Sequence, residues 1–265
     1  MPKTFFGIDF SGARDAGART WIASARLNAR KIQLLNVFPA SSLPAGNIER
    51  ALTMRALQQF ITSEPEGVFG LDFPFSIHAS QMAQPSWLDF AQTFQQRFPN
   101  ADAFYKSNGG AGNELRRQSD SAARTPFAPT NLRIYRQTFY GIRDLLAPLT
   151  ISQRATVFPM QIPQSGLPVL IEVCPAVTLR RLNLRLNGYK GTTEFARSQR
   201  IRIVDGLLKA NLVLNHEQME LVIANTGGDA LDSVIAAFAS AQAWESGALA
   251  RSYSSVECIE GVVFA

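Results

Sequence analysis

Cysteine and histidine are nearly missing: Cys174, Cys258, His78 and His216 are the only ones in 265 residues. Two thiols cannot make a disulfide framework or a cysteine-built zinc site, and two isolated imidazoles argue against a histidine-built metal centre. The shortage of cysteine predicts a reducing cytoplasm. No apolar run approaches the roughly 20 residues needed to span a bilayer. Met1-Pro2-Lys3 is followed by only a few apolar residues before Asp9 interrupts them, so neither a membrane partner nor a signal peptide is expected. Lysine is scarce as well, five against 21 arginines.

What charge there is is segregated. The net charge is +5, yet residues 97–143 carry eight basic and three acidic side chains, and residues 179–209 carry eight and two. The remainder is therefore acidic. Arginine's planar fork suits bidentate phosphate contact, although a solvated helix face produces the same bias. With 46% hydrophobic and 18% charged residues, the composition is that of an ordinary globular protein.

Residues 4–9, 19–27 and 31–38 read as three strands joined by short turns, which predicts an antiparallel meander. Asn47 offers a cap for a helix over 48–61. Val68–Phe73 then reads as a buried strand, parallel to the first through a right-handed crossover. Residues 77–166 break the rhythm and read as a largely helical insertion or cap within a single domain spanning 1–265. Its helices are expected near 87–98, 113–124 and 136–146. A fifth strand over 168–173 is followed by helices near 176–183, 193–210, 216–224 and 229–245, and 261–264 reads as a short terminal strand. The pattern predicts an α/β fold with a mixed five-stranded sheet of order 3-2-1-4-5 flanked by helices.

Five carboxylates stand at the ends of these core elements: Asp9, Asp72, Glu172, Asp229 and Asp232. An ionised carboxylate is costly to bury unless it is paired, hydrogen-bonded or bound to a cation. Asp9 and Asp72 fall at the same end of adjacent strands, where open α/β sheets place their sites. Asp229 and Asp232 share one face of a helical turn. Hard oxygen donors of this kind suit Mg2+ or Mn2+, which predicts Asp9, Asp72, Asp229 and Asp232 as metal ligands. Glu172 would ligate the metal or position water. Arg116, Arg117, Arg124 and Lys190 are the candidates to hold phosphates.

Each residue also has a plainer reading. Asp9 with Ser11-Gly12 makes an Asx turn. Asp229 after two glycines is a natural N-cap. Glu172 could pair with a basic side chain, and Lys190 could simply be solvated. Trp87, Phe90, Phe94 and Phe98 recur at helical spacing and read as core rather than as a base-stacking platform.

The segments Gly7-Ile8-Asp9-Phe10-Ser11-Gly12, Gly70-Leu71-Asp72-Phe73-Pro74, Ile171-Glu172-Val173-Cys174-Pro175, Tyr189-Lys190-Gly191, Gly228-Asp229-Ala230-Leu231-Asp232-Ser233 and Glu260-Gly261-Val262-Val263-Phe264 occur in that order. The series resembles the family known as domain of unknown function 429, regarded as predicted nucleases of the RNase H-like fold. The resemblance implies Asp9, Asp72, Glu172, Asp229 and Asp232 as acidic site residues, and it places Arg117, Asp120 and Arg124 in an Arg/Asp-rich segment. The leading expectation is a divalent-metal-dependent nuclease or related phosphodiesterase acting on nucleic acid. The sheet order also suits an ATP-dependent phosphotransferase of the actin and sugar-kinase type, with Thr226-Gly227-Gly228 as a nucleotide loop. A non-catalytic nucleic-acid-binding protein is the third reading.

Overall fold

Alternation along the first strand organises the molecule. Phe5 packs into one apolar cluster while Phe6 and Ile8 pack into another, as the two-residue period of a strand requires. The computed structural model describes residues 3–184 and 187–265. Met1, Pro2 and Arg185, the last of them part of the second basic stretch, lie outside the described residues.

The strands are β1 (Thr4–Asp9), β2 (Trp21–Asn28), β3 (Lys31–Pro39), β4 (Val68–Leu71), β5 (Thr156–Phe158), β6 (Val169–Val173), β7 (Leu212–Val213) and β8 (Val263–Phe264). The helices before β5 are α1 (Ala16–Arg19), α2 (Arg50–Thr62), α3 (Trp87–Arg97), α4 (Ala101–Ser107), α5 (Gln118–Ala123), α6 (Tyr135–Gly141) and α7 (Ala147–Ile151). Those after β6 are α8 (Pro175–Arg181), α9 (Glu194–Lys209), α10 (His216–Ala224), α11 (Asp229–Glu245) and α12 (Glu257–Glu260).

The protein has a mixed α/β architecture with a central sheet between helices. The antiparallel meander β1-β2-β3 forms, and β4 runs parallel to β1. The five strands expected from sequence keep their relative order as β3-β2-β1-β4-β6, but among the described residues the sheet has eight strands rather than five. β7 extends one edge beside β3, while β5 and β8 share the outer edge of β6. β5 and β7, three and two residues long, are too short to carry a readable period. Residues 77–166 supply α3 to α7, a π-helical turn over Ile142–Leu146, and β5. The helix expected from Asn113 begins only at Gln118, and α4 was not foreseen. Trp87, Phe90, Phe94 and Phe98 are core. Glu49, not Asn47, caps α2, its carboxylate accepting from the amides of Ala51 and Leu52.

α11 lies across the sheet centre and is buried on nearly every side, with alanine and serine at most contacts. Gly7 and Gly70 are cross-strand neighbours on β1 and β4 beneath it. A Cβ on Gly7 would overlap the backbone of Ser233 and Ala237, and one on Gly70 would overlap the Ser240 hydroxyl. Two missing side chains thus let the helix settle against the strands. Its N-terminus ends up beside the carboxyl ends of β1 and β4.

Candidate active site

Asp9 closes β1, and Asp72 is the first residue past β4. The Asp72 amide donates to the Ile8 carbonyl at 3.0 Å, which holds the two acids side by side. Asp9 shares its strand parity with Phe5 and Gly7, the residues that face α11. Gly228, at φ +80°, caps α11, so Asp229 is its first residue rather than its N-cap. Asp229 lies close enough to Asp9 for each to influence the other's charge. Asp232 is buried one turn along, where Tyr189 Oη donates to Oδ1 at 2.8 Å and Lys190 Nζ meets Oδ2 at 2.7 Å.

The segment carrying Tyr189 and Lys190 is held by a residue that sequence reasoning missed. Arg200 is buried in α9, and its guanidinium donates to the carbonyls of Tyr189, Gly191 and Ile223. The Gly191 amide adds a bond to Thr226 O at 2.7 Å. A signal was available: Ala196, Arg200, Ile203 and Leu207 recur at helical spacing, which puts an arginine on the apolar face.

The electrostatics are those of crowded, desolvated acids. Burial pushes the Asp9 carboxyl well up, and Asp232, Asp72 and Asp229 add to the effect while Lys190 opposes it. Burial, with help from Asp232, pushes Asp72 up to about 8. Asp229 is raised by burial. Desolvation works against the Lys190 ammonium, but Asp232 and Asp9 outweigh it and hold the charge, although the side chain is 52% exposed. Burial beside Asp232 pushes the Tyr189 phenol up, so it stays a hydrogen-bond donor. Burial likewise raises the Cys174 thiol, the opposite of a reactive cysteine.

Glu172 and Arg117 are bound to each other: Arg117, expected to hold phosphate, is committed to a buried ion pair, and Glu172, which lines the pocket beside Asp72, takes the basic partner its plainer reading allowed. Arg117 is 0% exposed. It donates to both oxygens of Glu172, to both of Asp120 and to the Glu260 carbonyl. Glu172 Oε2 also accepts the Phe75 amide at 2.9 Å. Burial opposes the Arg117 charge, but the two carboxylates overcome it and hold the guanidinium above its ordinary value. Buried Glu260, also unanticipated, accepts the amides of Ala79 and Gln118.

Arg116 and Arg124 are exposed. Arg116 donates to the Thr125 carbonyl and hydroxyl, and Arg124 is the left-handed C-cap of α5, with its carbonyl taken by Arg180. Both brace the segment from outside. Lys190 alone of the four proposed phosphate holders lines the pocket.

That pocket, about 250 Å³, is lined by Asp9, Asp72, Asp120, Glu172, Asp232 and Lys190 together with Thr125, Phe127, Ile134 and Gln137, while Asp229 is not part of its lining. Thr226-Gly227-Gly228, the candidate nucleotide loop, is not part of its lining. Among the described residues no group of three or more Asp, Glu, His or Cys side chains is arranged to hold a metal ion, and Asp232 is already engaged by Tyr189 and Lys190. The four-carboxylate ligand set is thus not preassembled. A two-carboxylate donor set, Asp9 with Asp72, does fit Mg2+, which usually keeps several waters and takes one or two carboxylates together with substrate phosphate.

The family model described as a protein of unknown function (DUF429) matches residues 7–257, and the chain belongs to that family. No curated protein and no solved structure matches it.

Proposed function

We propose that this DUF429 protein is a divalent-metal-dependent phosphoester hydrolase of the nuclease type, built on an RNase H-like arrangement and acting on nucleic acid or its nucleotides. The observation that carries the reading is the placement of Asp9 and Asp72. They are adjacent at the carboxyl ends of parallel strands, on the wall of a pocket, with Asp229 and Asp232 close enough to raise Asp9. Acids so crowded call for a cation, and Asp9 and Asp72 are the two that would hold Mg2+ or Mn2+. When bound, such an ion supplies Lewis-acid stabilisation of charge on the phosphoryl oxygens.

The chain's own groups divide the remaining work. Asp232 keeps the Lys190 ammonium at the pocket wall, where it can meet a phosphate oxygen. Tyr189, fixed by Arg200, holds Asp232 from the other side. Asp229, outside the pocket lining, adds negative charge beside Asp9. In the hydrolysis, a water oxygen bonds to phosphorus as the ester P–O bond breaks. The water proton is released to solvent, and the leaving oxygen takes a proton from solvent.

Calorimetric titration with Mn2+ should show binding by the parent and little by Asp9→Asn or Asp72→Asn, and hydrolysis of bis(p-nitrophenyl) phosphate should fall in the same order. Equal Mn2+ binding by parent and Asp9→Asn would remove Asp9 from the site. Nucleic-acid binding without turnover under any divalent ion would favour a binding protein instead.

A further inference from the structure

Eight basic residues between 97 and 143 are the natural candidates for a track along a polynucleotide backbone, yet none of them lines the pocket. Arg117 is committed to Glu172 and Asp120, Arg136 meets Asp102, Arg143 meets Asp144, and Arg97 reaches back to Gln81 O. Lys190 is the one cation among the described lining residues, so the pocket offers a charged partner to one phosphate group and not to a series. The rest of the lining changes character: Pro126, Phe127 and Ile134 present apolar surface, with Arg133 over the Phe127 ring at 5.3 Å.

This wall is stapled in place. Gln137 Nε2 donates to the Phe10 carbonyl at 2.6 Å, just past Asp9, and Arg116 grips Thr125. The Arg117 pair with Glu172 ties α5 to β6. These ties fix the wall in place, and among the described residues no second cation lines the pocket beside Lys190 to meet the flanking phosphates of a threaded strand. At about 250 Å³ the space lies just below the ~300–1,000 Å³ usual for ligand clefts, enough for a single small ring-bearing ligand.

We propose, resting on the hydrolase reading above, that the pocket takes one nucleotide unit end-on. Its ligand is a phosphate ester of a single nucleoside, with the phosphate between Lys190 and the Asp9–Asp72 pair and the base against Phe127. Aromatic faces accept any base, so the fit is tolerant of sequence. The same chemistry is offered by a free nucleotide ester and by the terminal nucleotide of a strand, whereas an internal phosphodiester brings flanking phosphates for which the described lining holds no cation.

The test uses the full chain with two kinds of readout. Binding of thymidine 5′-monophosphate is measured by calorimetry with Ca2+ present, so that affinity does not depend on turnover. It should exceed that of methyl phosphate at least tenfold, and Phe127→Ala should remove most of that advantage. Ile134→Trp, which fills the pocket rather than emptying it, should block the nucleotide even if Phe127→Ala folds poorly. With Mn2+, the p-nitrophenyl ester of thymidine 5′-monophosphate and linear single-stranded DNA should be hydrolysed while the same DNA closed into a circle survives. Turnover of the ester alone would assign the free nucleotide as the source, and shortening of linear DNA from its ends would assign the terminus. Cutting of the circle as fast as the linear strand would overturn the inference and leave the hydrolase reading standing. Nucleotide binding with no turnover of any ester would uphold the ligand class and remove the hydrolase reading. Equal affinity for thymidine monophosphate and methyl phosphate would overturn the inference outright.

Discussion

Replacing Arg117 with alanine separates a structural ion pair from a phosphate-binding one. In the native protein the guanidinium makes five side-chain hydrogen bonds, to Glu172, Asp120 and the Glu260 carbonyl. Removal leaves two buried carboxylates facing each other without a cation. Breaking a buried pair from one side costs about 3–5 kcal/mol, because the stranded charge has nothing to replace its partner. For a chain of this length each kcal/mol lowers the melting temperature by ~2–4 °C, giving a fall of roughly 6–20 °C. The loss should depend on pH with a definite sign. Without Arg117 the Glu172 carboxyl is raised by burial with no guanidinium to pull it back. A carboxyl whose folded pKa exceeds its unfolded value contributes stability at low pH and loses it as pH rises. The variant should therefore recover toward the parent as pH falls through the weakly acidic range. Arg117→Met combined with Glu172→Gln and Asp120→Asn should regain much of the loss, since apolar or neutral replacements remove the stranded charges. Differential scanning calorimetry across pH checks each step. An Arg117→Ala protein that melts with the parent but binds nucleic acid more weakly, with a flatter salt dependence, would refute the reasoning and return Arg117 to the phosphate site.

Other perturbations read other parts of the site. In metal-free protein, Asp72 keeps its proton up to about 8 when folded and releases it near 4 when unfolded. Stability should therefore decline from pH 4 to 8, and Asp72→Asn should flatten that slope in urea titrations. Mn2+ affinity of the parent should rise over the same interval, because binding must displace the proton; a pH-independent affinity would take Asp72 out of the ligand set. Arg200→Met strands the carbonyls of Tyr189, Gly191 and Ile223, at about 1–3 kcal/mol for each left unpaired. It should also release Lys190 from Asp232, visible as a changed lysine ammonium resonance in NMR, whereas an unchanged resonance would mean the loop holds itself. Gly7→Ala should cost about 1–3 kcal/mol or more through overpacking against α11. Chemical denaturation that finds it neutral would show that helix and strand can separate at little cost.

Most of the sheet was legible because its strands are long enough to show a pattern. β1, β2, β3 and β6 are buried or half-buried runs of β-branched and aromatic residues bounded by turn residues, and the helix between β3 and β4 fixes a parallel neighbour for β1. What was hidden was short or non-local. β5, β7 and β8 exist because β6 and β3 offer open edges, a property of the assembled sheet rather than of Thr156–Phe158, Leu212–Val213 or Val263–Phe264 themselves. In 77–166, the start of α5 depends on the Arg117–Asp120 contact, with the Asp120 carboxylate accepting the Arg117 amide. That contact in turn depends on Glu172, 55 residues away, and no local window contains it.

The acids were legible as a group but not in their division of labour, although strand parity holds the distinction. On β6, Val169, Ile171 and Val173 pack with α11, while Leu170 packs into the other apolar cluster. Glu172 shares the parity of Leu170, so it leaves the sheet on the side away from α11. Asp9 shares the parity of Phe5 and Gly7 and emerges toward it. An acid beneath α11 meets Asp229 and Asp232, like charges that leave it short of counter-charge; an acid on the opposite side meets Arg117 and is satisfied. The same residue type at nearly the same height in the sheet is therefore short of counter-charge on one face and ion-paired on the other. The arginine-rich composition follows the same logic. Arg117, the N-cap of α5, and Arg200 in α9 are both buried, where a rigid multi-donor guanidinium can bind two carboxylates or three carbonyls at once. Lysine, a single point charge on a flexible stem, is found at the pocket wall, half-exposed and paired with Asp232.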